Sequence, residues 1–593
     1  MISRLTRLRW RRRIRRSKNQ VEDIGIKAED NVDQYFFRRL SKFTDIRRFV
    51  ITWILLIVIL IGSVGLQTRA LSNYYMTEKP VAGGTFTEGM VGLFTNSNPI
   101  YATGSVDTSV SRLLYAGLLK YDSKNKLVGD LAESWKQGDN EKVYLVTLKK
   151  NLKWSDGKAL TAKDVEFTYK TIQDPSAKSP LMASWQGIRI STVDKSTIKF
   201  ELPNSLSSFQ HSLTTGIIPQ HVLGKTPVAQ LRATRFNTTS PVGSGPFVWD
   251  ALEIVNDTVE HRRGLIGLKP NQQYHQGAPK LNRFVVSFFA LEKDMLDSFN
   301  KREVTAMSGI DVLPDFLRED KSIQQYSVPL TAQVMVFFRT SQDILSDIKV
   351  RQALSHAVNQ SELLQNIGYP LKQSTQPFLK NQVGYDPSFN QLGYDVTQAN
   401  KLLDEAGWKM GKDGVRVKGD KKLTFKLNSQ STSEYAYVSQ RLQSDWQKVG
   451  AKVEVLLQSD SELQGTIAYH SYDALLYGIS LGPDPDVYAY WGSSQADQRA
   501  SNRVNFSEYK STTADKALEG GRTRNDPALR AVKYRPFLEA WRNDAPAIAL
   551  YRPRYLYISH DKINGFDSEI MNVPSDRYTN VVNWMIKTKK VSR

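Results

Sequence analysis

A mixed α/β globular part behind a single transmembrane helix is the architecture this sequence predicts, on three observations. Residues 49–66, FVITWILLIVILIGSVGL, run for eighteen positions without a charge. Basic residues crowd the segment before that run. After it, short β-rich stretches alternate with amphipathic helical ones to the end of the chain.

The 593 residues are too many for one compact core, so several domains are expected. A composition of 40% hydrophobic and 10% aromatic residues is that of a globular chain, not a disordered one. The formal charge of +20 is unevenly spread: residues 1–48 hold 15 Lys and Arg against six Asp and Glu, a net +9. The surplus is largely a property of the tail, so nucleic-acid binding is not expected. Cysteine is absent, which excludes a disulfide framework, a thiolate zinc site, a cysteine nucleophile and the usual lipid-attachment site of an exported lipoprotein.

At 1.5 Å rise per residue, the apolar run covers roughly 27 Å, enough for a thin bilayer. A buried core helix would show a polar face, and this one shows none. Arg38, Arg39, Lys42, Arg47 and Arg48 lie just upstream, whereas only Arg69 lies close downstream. The asymmetry predicts a cytoplasmic N-terminus, with everything after about residue 67 outside. The same five residues, with the Arg-rich start RLTRLRWRRRIRR (4–16), suit anionic headgroups of the inner leaflet. The long tail and the absence of a clear small-x-small site after the run favour an uncut anchor over a cleaved signal.

Residues 67–82 read as a spacer, and the globular pattern begins at Gly83. SRLLYAGLLKY (111–121) has a helical apolar repeat, with Gly117 marking close packing or a helix end. VYLVTLK (143–149) reads as a strand. In NLKWSDGKALTAKDVEFTYK (151–170), a short strand precedes the Asp156-Gly157 turn. Thr161 and Asp164 then have the spacing of a capped helix start, and Asp174-Pro175 stops the helix.

STIKFEL (196–202) is a strand, followed by a helix ending before Ile217. PVGSGPF (241–247) is a Gly/Pro turn, and residues 284–289 form a buried strand. IKVRQALSHAVNQSELL (348–364) is amphipathic. Helices over 396–407 and 434–449 end near Gly407 and Gly450, and the next element is a strand over 452–457.

Catalytic and metal signals are weak. The seven histidines, at 211, 221, 261, 275, 356, 470 and 560, include no i, i+4 pair and no HExxH. No phosphate loop of the GxxxxGK[ST] type occurs, and Val242 spoils a GxSxG reading around Ser244. Neither a cofactor nor a metal is expected. YGISLGPDPDVYAYW (477–491) stands out instead: Asp484 and Asp486 flank Pro485, with Tyr488, Tyr490 and Trp491 behind them. Such a turn suits the wall of a site for a cationic or amphipathic ligand, and equally an exposed turn followed by core aromatics.

Taken in order, SRLLYAGLLKYD, LVGDLAESW, LKKNLKWSDGKALTAKDVEFTYKTIQDP, PVGSGPF, NQQYHQGAPKLNRFVV, VRQALSHAVNQSELL, DVTQANKLLDEAGW and DAPAIALY resemble the oligopeptide/dipeptide/nickel class of extracytoplasmic solute-binding proteins. The resemblance covers roughly residues 81–567, and its WSDG-x-x-LTA-x-DV block is the specific part.

It implies a two-lobed, periplasmic-binding-protein-like clamp of type II with an extra small domain. The expected boundaries are tail 1–48, helix 49–66 and spacer 67–82. Lobe I takes 83–118, 236–330 and 541–593, the small inserted domain 119–235, and lobe II 331–540. It further implies a peptide or other small solute as ligand, an ABC import permease as partner, and no catalysis.

By the same resemblance, Ser480, Leu481, Gly482, Asp484, Asp486, Tyr488 and Trp491 are the candidate ligand-binding residues. Peptide-binding members meet the ligand's α-amine with an Asp shortly before the position of Asp484. Residues 478–483 here hold no carboxylate, so Asp484 or Asp486 takes over the amine or the ligand lacks one. The alternatives are a receptor or sensor for a non-peptide solute on the same fold, or an exported hydrolase.

Overall fold

The computed structural model describes residues 47–592 except 139–140, 257, 259–260, 311–312, 366, 368–370, 498 and 500–502. Contacts divide the chain into two units, one comprising residues up to 79 with 588–593 and the other residues 80–587.

In the first unit, Arg47–Tyr75 is one helix, and its stretch Phe49–Arg69 is long and apolar enough to cross a membrane, with none of it buried. The helix outruns the expected end at 66 because residues 67–75 contain neither Gly nor Pro to stop it. The strand Met76–Val81 then pairs with Lys587–Ser592, so the expected spacer is helix and strand. Arg47 and Arg48 open the helix, whereas Arg38, Arg39 and Lys42 lie outside the described residues.

The second unit is built on two large sheets. Lobe I holds a seven-stranded sheet in the order Gln324–Pro329, Arg554–Ser559, Ala306–Ser308, Thr85–Val91, Arg283–Phe289, Arg263–Pro270, Phe247–Asn256. Lobe II holds a six-stranded sheet in the order Lys372–Gln373, Ala547–Arg552, Ala332–Phe338, Ala474–Ser480, Thr424–Gln430, Lys452–Gln458. A four-stranded antiparallel sheet (Ala132–Gln137, Val143–Leu148, Thr197–Glu201, Arg189–Thr192) carries the small domain, and its core is continuous with that of lobe I.

Alternation along Ala332–Phe338 explains why lobe II needs helices on both faces. Val334, Val336 and Phe338 join one hydrophobic cluster, and Met335 and Phe337 the other, because successive strand side chains point to opposite faces. Each such buried side chain contributes about 1.5–3 kcal/mol.

The chain passes between lobes twice. It leaves lobe I after Pro329 and enters lobe II at Ala332; it returns between Arg552 and Arg554. The return lies at Pro553, not at the expected 541, because Ala547–Arg552 still pairs with Ala332–Phe338 in the lobe II sheet. The Leu330 amide donates to the Pro553 carbonyl at 3.1 Å, so the two crossings lie side by side.

The WSDG block folds as its local chemistry dictates. Gly157 takes φ +85°, its amide donates to the Trp154 carbonyl at 2.9 Å, and the Thr161 amide donates to Asp164 Oδ2 at 2.8 Å before the helix Ala162–Gln173. The Ser155 amide then donates to the Gly243 carbonyl at 2.8 Å, and the Gly245 amide to the Leu114 carbonyl at 2.8 Å. The hairpin and the PVGSGPF turn thus clamp the end of the helix Ser105–Leu114.

That helix starts earlier and stops sooner than expected: residues 111–121 are its last turn, a bridge from Gly117 to Gly216 and the strand Leu119–Tyr121. A side chain at Gly117 would meet the Thr214 carbonyl oxygen at 2.6 Å, so the glycine permits the close approach that ends the helical run. The amphipathic stretch 348–364 is also two helices, Ile348–His356 and Gln360–Gln365.

Candidate ligand-binding cleft

Three segments bring a cavity together between the lobes. The first runs from the last turn of Ser105–Leu114 to the strand Leu119–Tyr121, held in place by the hairpin and the PVGSGPF turn. The second is the turn Pro574–Tyr578 near the C-terminus. The third is the end of the lobe II strand Ala474–Ser480, where the Leu481 amide donates to the Thr331 carbonyl at 2.9 Å and so sits beside the first crossing. The resulting cavity measures about 430 Å³. Lobe I and the small domain supply Arg112, Tyr115, Tyr121, Thr214 and Asp576 among its walls, and lobe II supplies Ser480 and Gly482. That volume lies in the range of small-molecule sites.

The lining mixes rings with polar tips. Burial pushes the Tyr115 and Tyr121 phenols up, so both stay neutral hydrogen-bonding groups. The Tyr121 hydroxyl lies 2.9 Å from His211 Nδ1, and burial holds that imidazole below its ordinary range. A second, larger space of about 850 Å³ lies between the small domain and lobe II, bordered by Pro203, Leu206, Tyr488, Lys516, Glu519 and Arg522.

The small domain also touches lobe II directly. The Ser207 amide donates to the Arg522 carbonyl at 2.9 Å, and Ser208 Oγ donates to Asp486 Oδ2 at 3.2 Å. Arg522 Nη2 completes the contact at 3.0 Å from the same carboxylate oxygen and lays its guanidinium over the Tyr488 ring at 4.7 Å. These contacts bridge the small domain and lobe II.

The structure places the sequence-selected residues in three different surroundings. Ser480 and Gly482 line the smaller cavity, and Tyr488 borders the larger one. Leu481 and Trp491 belong to a hydrophobic cluster of lobe II, with Trp491 fully buried against Phe337 and Trp541.

Asp484 is gripped by Arg530 through two bonds of 2.6 and 2.8 Å, both side chains nearly buried. Asp486 is held by Arg522 and Ser208. Each of the two carboxylates offered from sequence in place of the missing amine-binding Asp thus has a charged partner within the protein. Arg112 and Asp576 were not singled out from sequence: one sits in a run that reads as plain amphipathic helix, the other in a Pro-Ser-Asp turn.

The family follows from comparison. The model described as "Bacterial extracellular solute-binding proteins, family 5 Middle" matches residues 126–520. The chain belongs to this family. Among its family 5 relatives, the oligopeptide-binding protein AppA of Bacillus subtilis (strain 168) is 28% identical over 511 residues, covering 82% of this chain and 90% of AppA.

The solved structure of Bacillus subtilis AppA in complex with a nonapeptide superposes with a TM-score of 0.69 at 25% identity, covering 86% of this chain and all of that one. NikZ of Campylobacter jejuni, solved with Ni(L-His), shares the fold with a TM-score of 0.71 at 23% identity, covering 84% of this chain and 99% of its own. The two-lobed family 5 fold and its solute-binding class hold for this chain.

Proposed function

We propose that this protein captures short peptides outside the membrane and delivers them to an ABC import permease, tethered to the bilayer by its N-terminal helix. The observation that carries the reading is the cavity of about 430 Å³ lined by both lobes, beside the two adjacent chain crossings that join them. A ligand touching both walls binds the closed form better than the open one and shifts the population toward it. The peptide assignment is supported by the relative AppA, whose name and bound nonapeptide describe oligopeptide binding. The cavity also exposes hydroxyl, amide and charged groups suited to a peptide's polar backbone.

Anchoring is supported by the unburied apolar stretch Phe49–Arg69 and by the basic residues before it. A tethered receptor stays at high local concentration beside its permease, so weak docking suffices. In this reading the basic tail lies on the inner leaflet and the ligand-binding unit outside.

One observation favours a second reading, a non-peptide solute: residues 478–483 carry no carboxylate, and the two that come next are paired with Arg530 and Arg522. Equilibrium binding of a peptide library to the full chain in detergent, with recovery of the unbound peptides, tests the proposal. Reversible binding of intact peptides is expected. Cleaved products, or binding only by non-peptide solutes, would overturn it.

A further inference from the structure

Two charged side chains on the lobe I side of the smaller cavity make no ion pair among the described residues. Asp576 is 8% exposed and lines the cavity. Its Oδ2 accepts the amides of Asn572 at 3.1 Å and Val573 at 3.2 Å, and it makes no ion pair among the described residues. Burial pushes its pKa up, outweighing the opposing pull of Arg112 and of the bonds from Val573 and Asn572.

Arg112, in the last turn of Ser105–Leu114, lines the same cavity and makes no hydrogen bond or ion pair with any described residue. The two do not pair with each other either, although their charges feel one another. A carboxylate this buried is stabilised by a positive charge brought against it. The guanidinium is a fixed, planar donor suited to a carboxylate. Lobe II offers no free acid at this place, since Asp484 and Asp486 are held by Arg530 and Arg522.

We propose that Asp576 receives the ammonium group of the ligand and Arg112 its carboxylate, so that lobe I selects a compact peptide zwitterion with both termini free. The inference rests on the peptide reading of the cleft and deepens it. The charge that fixes the ligand sits on the wall opposite the loop that holds Asp484. The two groups stand in one cavity of about 430 Å³, so both are met together only by a ligand of a few residues. Closure then brings Ser480 and Gly482 onto a ligand already oriented by its charges.

The test uses the full-length protein in detergent and three mixed tripeptide libraries: unmodified, N-acetylated and C-amidated. Retained peptides are quantified by mass spectrometry for the wild type, Asp576→Asn and Arg112→Gln. Acetylation is expected to weaken retention by the wild type at least about 30-fold, the lower end for removing one partner of a buried charge pair. In Asp576→Asn the same modification is expected to matter less than about threefold. Amidation and Arg112→Gln should show the same relation. Arg112 makes no internal bond to lose, so this arm stands even if Asp576→Asn fails to fold.

A full acetylation penalty persisting in folded Asp576→Asn, or a full amidation penalty in Arg112→Gln, would overturn the inference and leave the peptide reading intact. Failure of the wild type to retain any unmodified tripeptide would overturn both.

Discussion

Glu88 and Arg577, separated by 489 residues in sequence, meet at 2.7 Å with neither side chain exposed to solvent. Ser308 Oγ, the Tyr557 hydroxyl and the Tyr578 hydroxyl also donate to the Glu88 carboxylate, at 3.0, 3.1 and 2.8 Å. This knot joins the central lobe I strand to the turn that carries Asp576, so it fixes one wall of the cleft from behind. Glu88→Gln leaves a buried guanidinium uncompensated. It should lower stability by about 3–5 kcal/mol, read as a fall in the urea midpoint.

The Asp484–Arg530 pair is expected to behave as structure within lobe II. Asp484→Ala should destabilise by about 3–5 kcal/mol, and Arg530→Met added to it should restore much of the loss, since an apolar pair avoids the buried charge. A double-mutant cycle in chemical unfolding checks this. An Asp484→Ala variant of unchanged stability would contradict the geometry.

Asp486 acts across the cleft. Asp486→Ala removes the acceptor shared by Ser208 and Arg522 and should favour the open clamp. Ligand affinity is then expected to fall several-fold, because the binding-competent closed state is less populated. Small-angle scattering of the unliganded protein should show a larger radius of gyration for the variant.

Acid sensitivity has an identifiable contributor. The hydrogen bond with His470 holds the Glu508 carboxyl down at about 2, against the cost of its burial and with help from Ser341 and Arg339. Its folded pKa lies below its ordinary value of 4.5, so its stabilisation is complete above that value. The stabilisation fades as pH falls toward about 2. Glu508→Gln should flatten the decline of the urea midpoint across that window.

Local chemistry was readable in advance wherever neighbours in sequence decide the outcome. Thr161 and Asp164 cap their helix, Gly157 makes its turn, and Gly407 and Gly450 take φ +86° and +80° just past the helices they terminate. The run 111–121 misled because apolar spacing continues through it, while Thr214 and Gly216, a hundred residues on, enforce the break.

The return crossing at Pro553 was likewise hidden, since no change of composition separates Ala547–Arg552 from Arg554–Ser559. At the cleft the difficulty was pairing. Asp484 and Asp486 look like free acids in the sequence because Arg530 and Arg522 lie 46 and 36 residues away. Conversely, Arg112 and Asp576 carry no local motif, and only the folded chain brings them to one cavity.

The most direct test of the central claim, that this clamp is a receptor for short peptides, is mass spectrometry of the molecules that the natively purified full-length protein releases on denaturation. The account predicts a mixture of short peptides with free amino and carboxyl termini. A single non-peptide species, bound in stoichiometric amount, would contradict it.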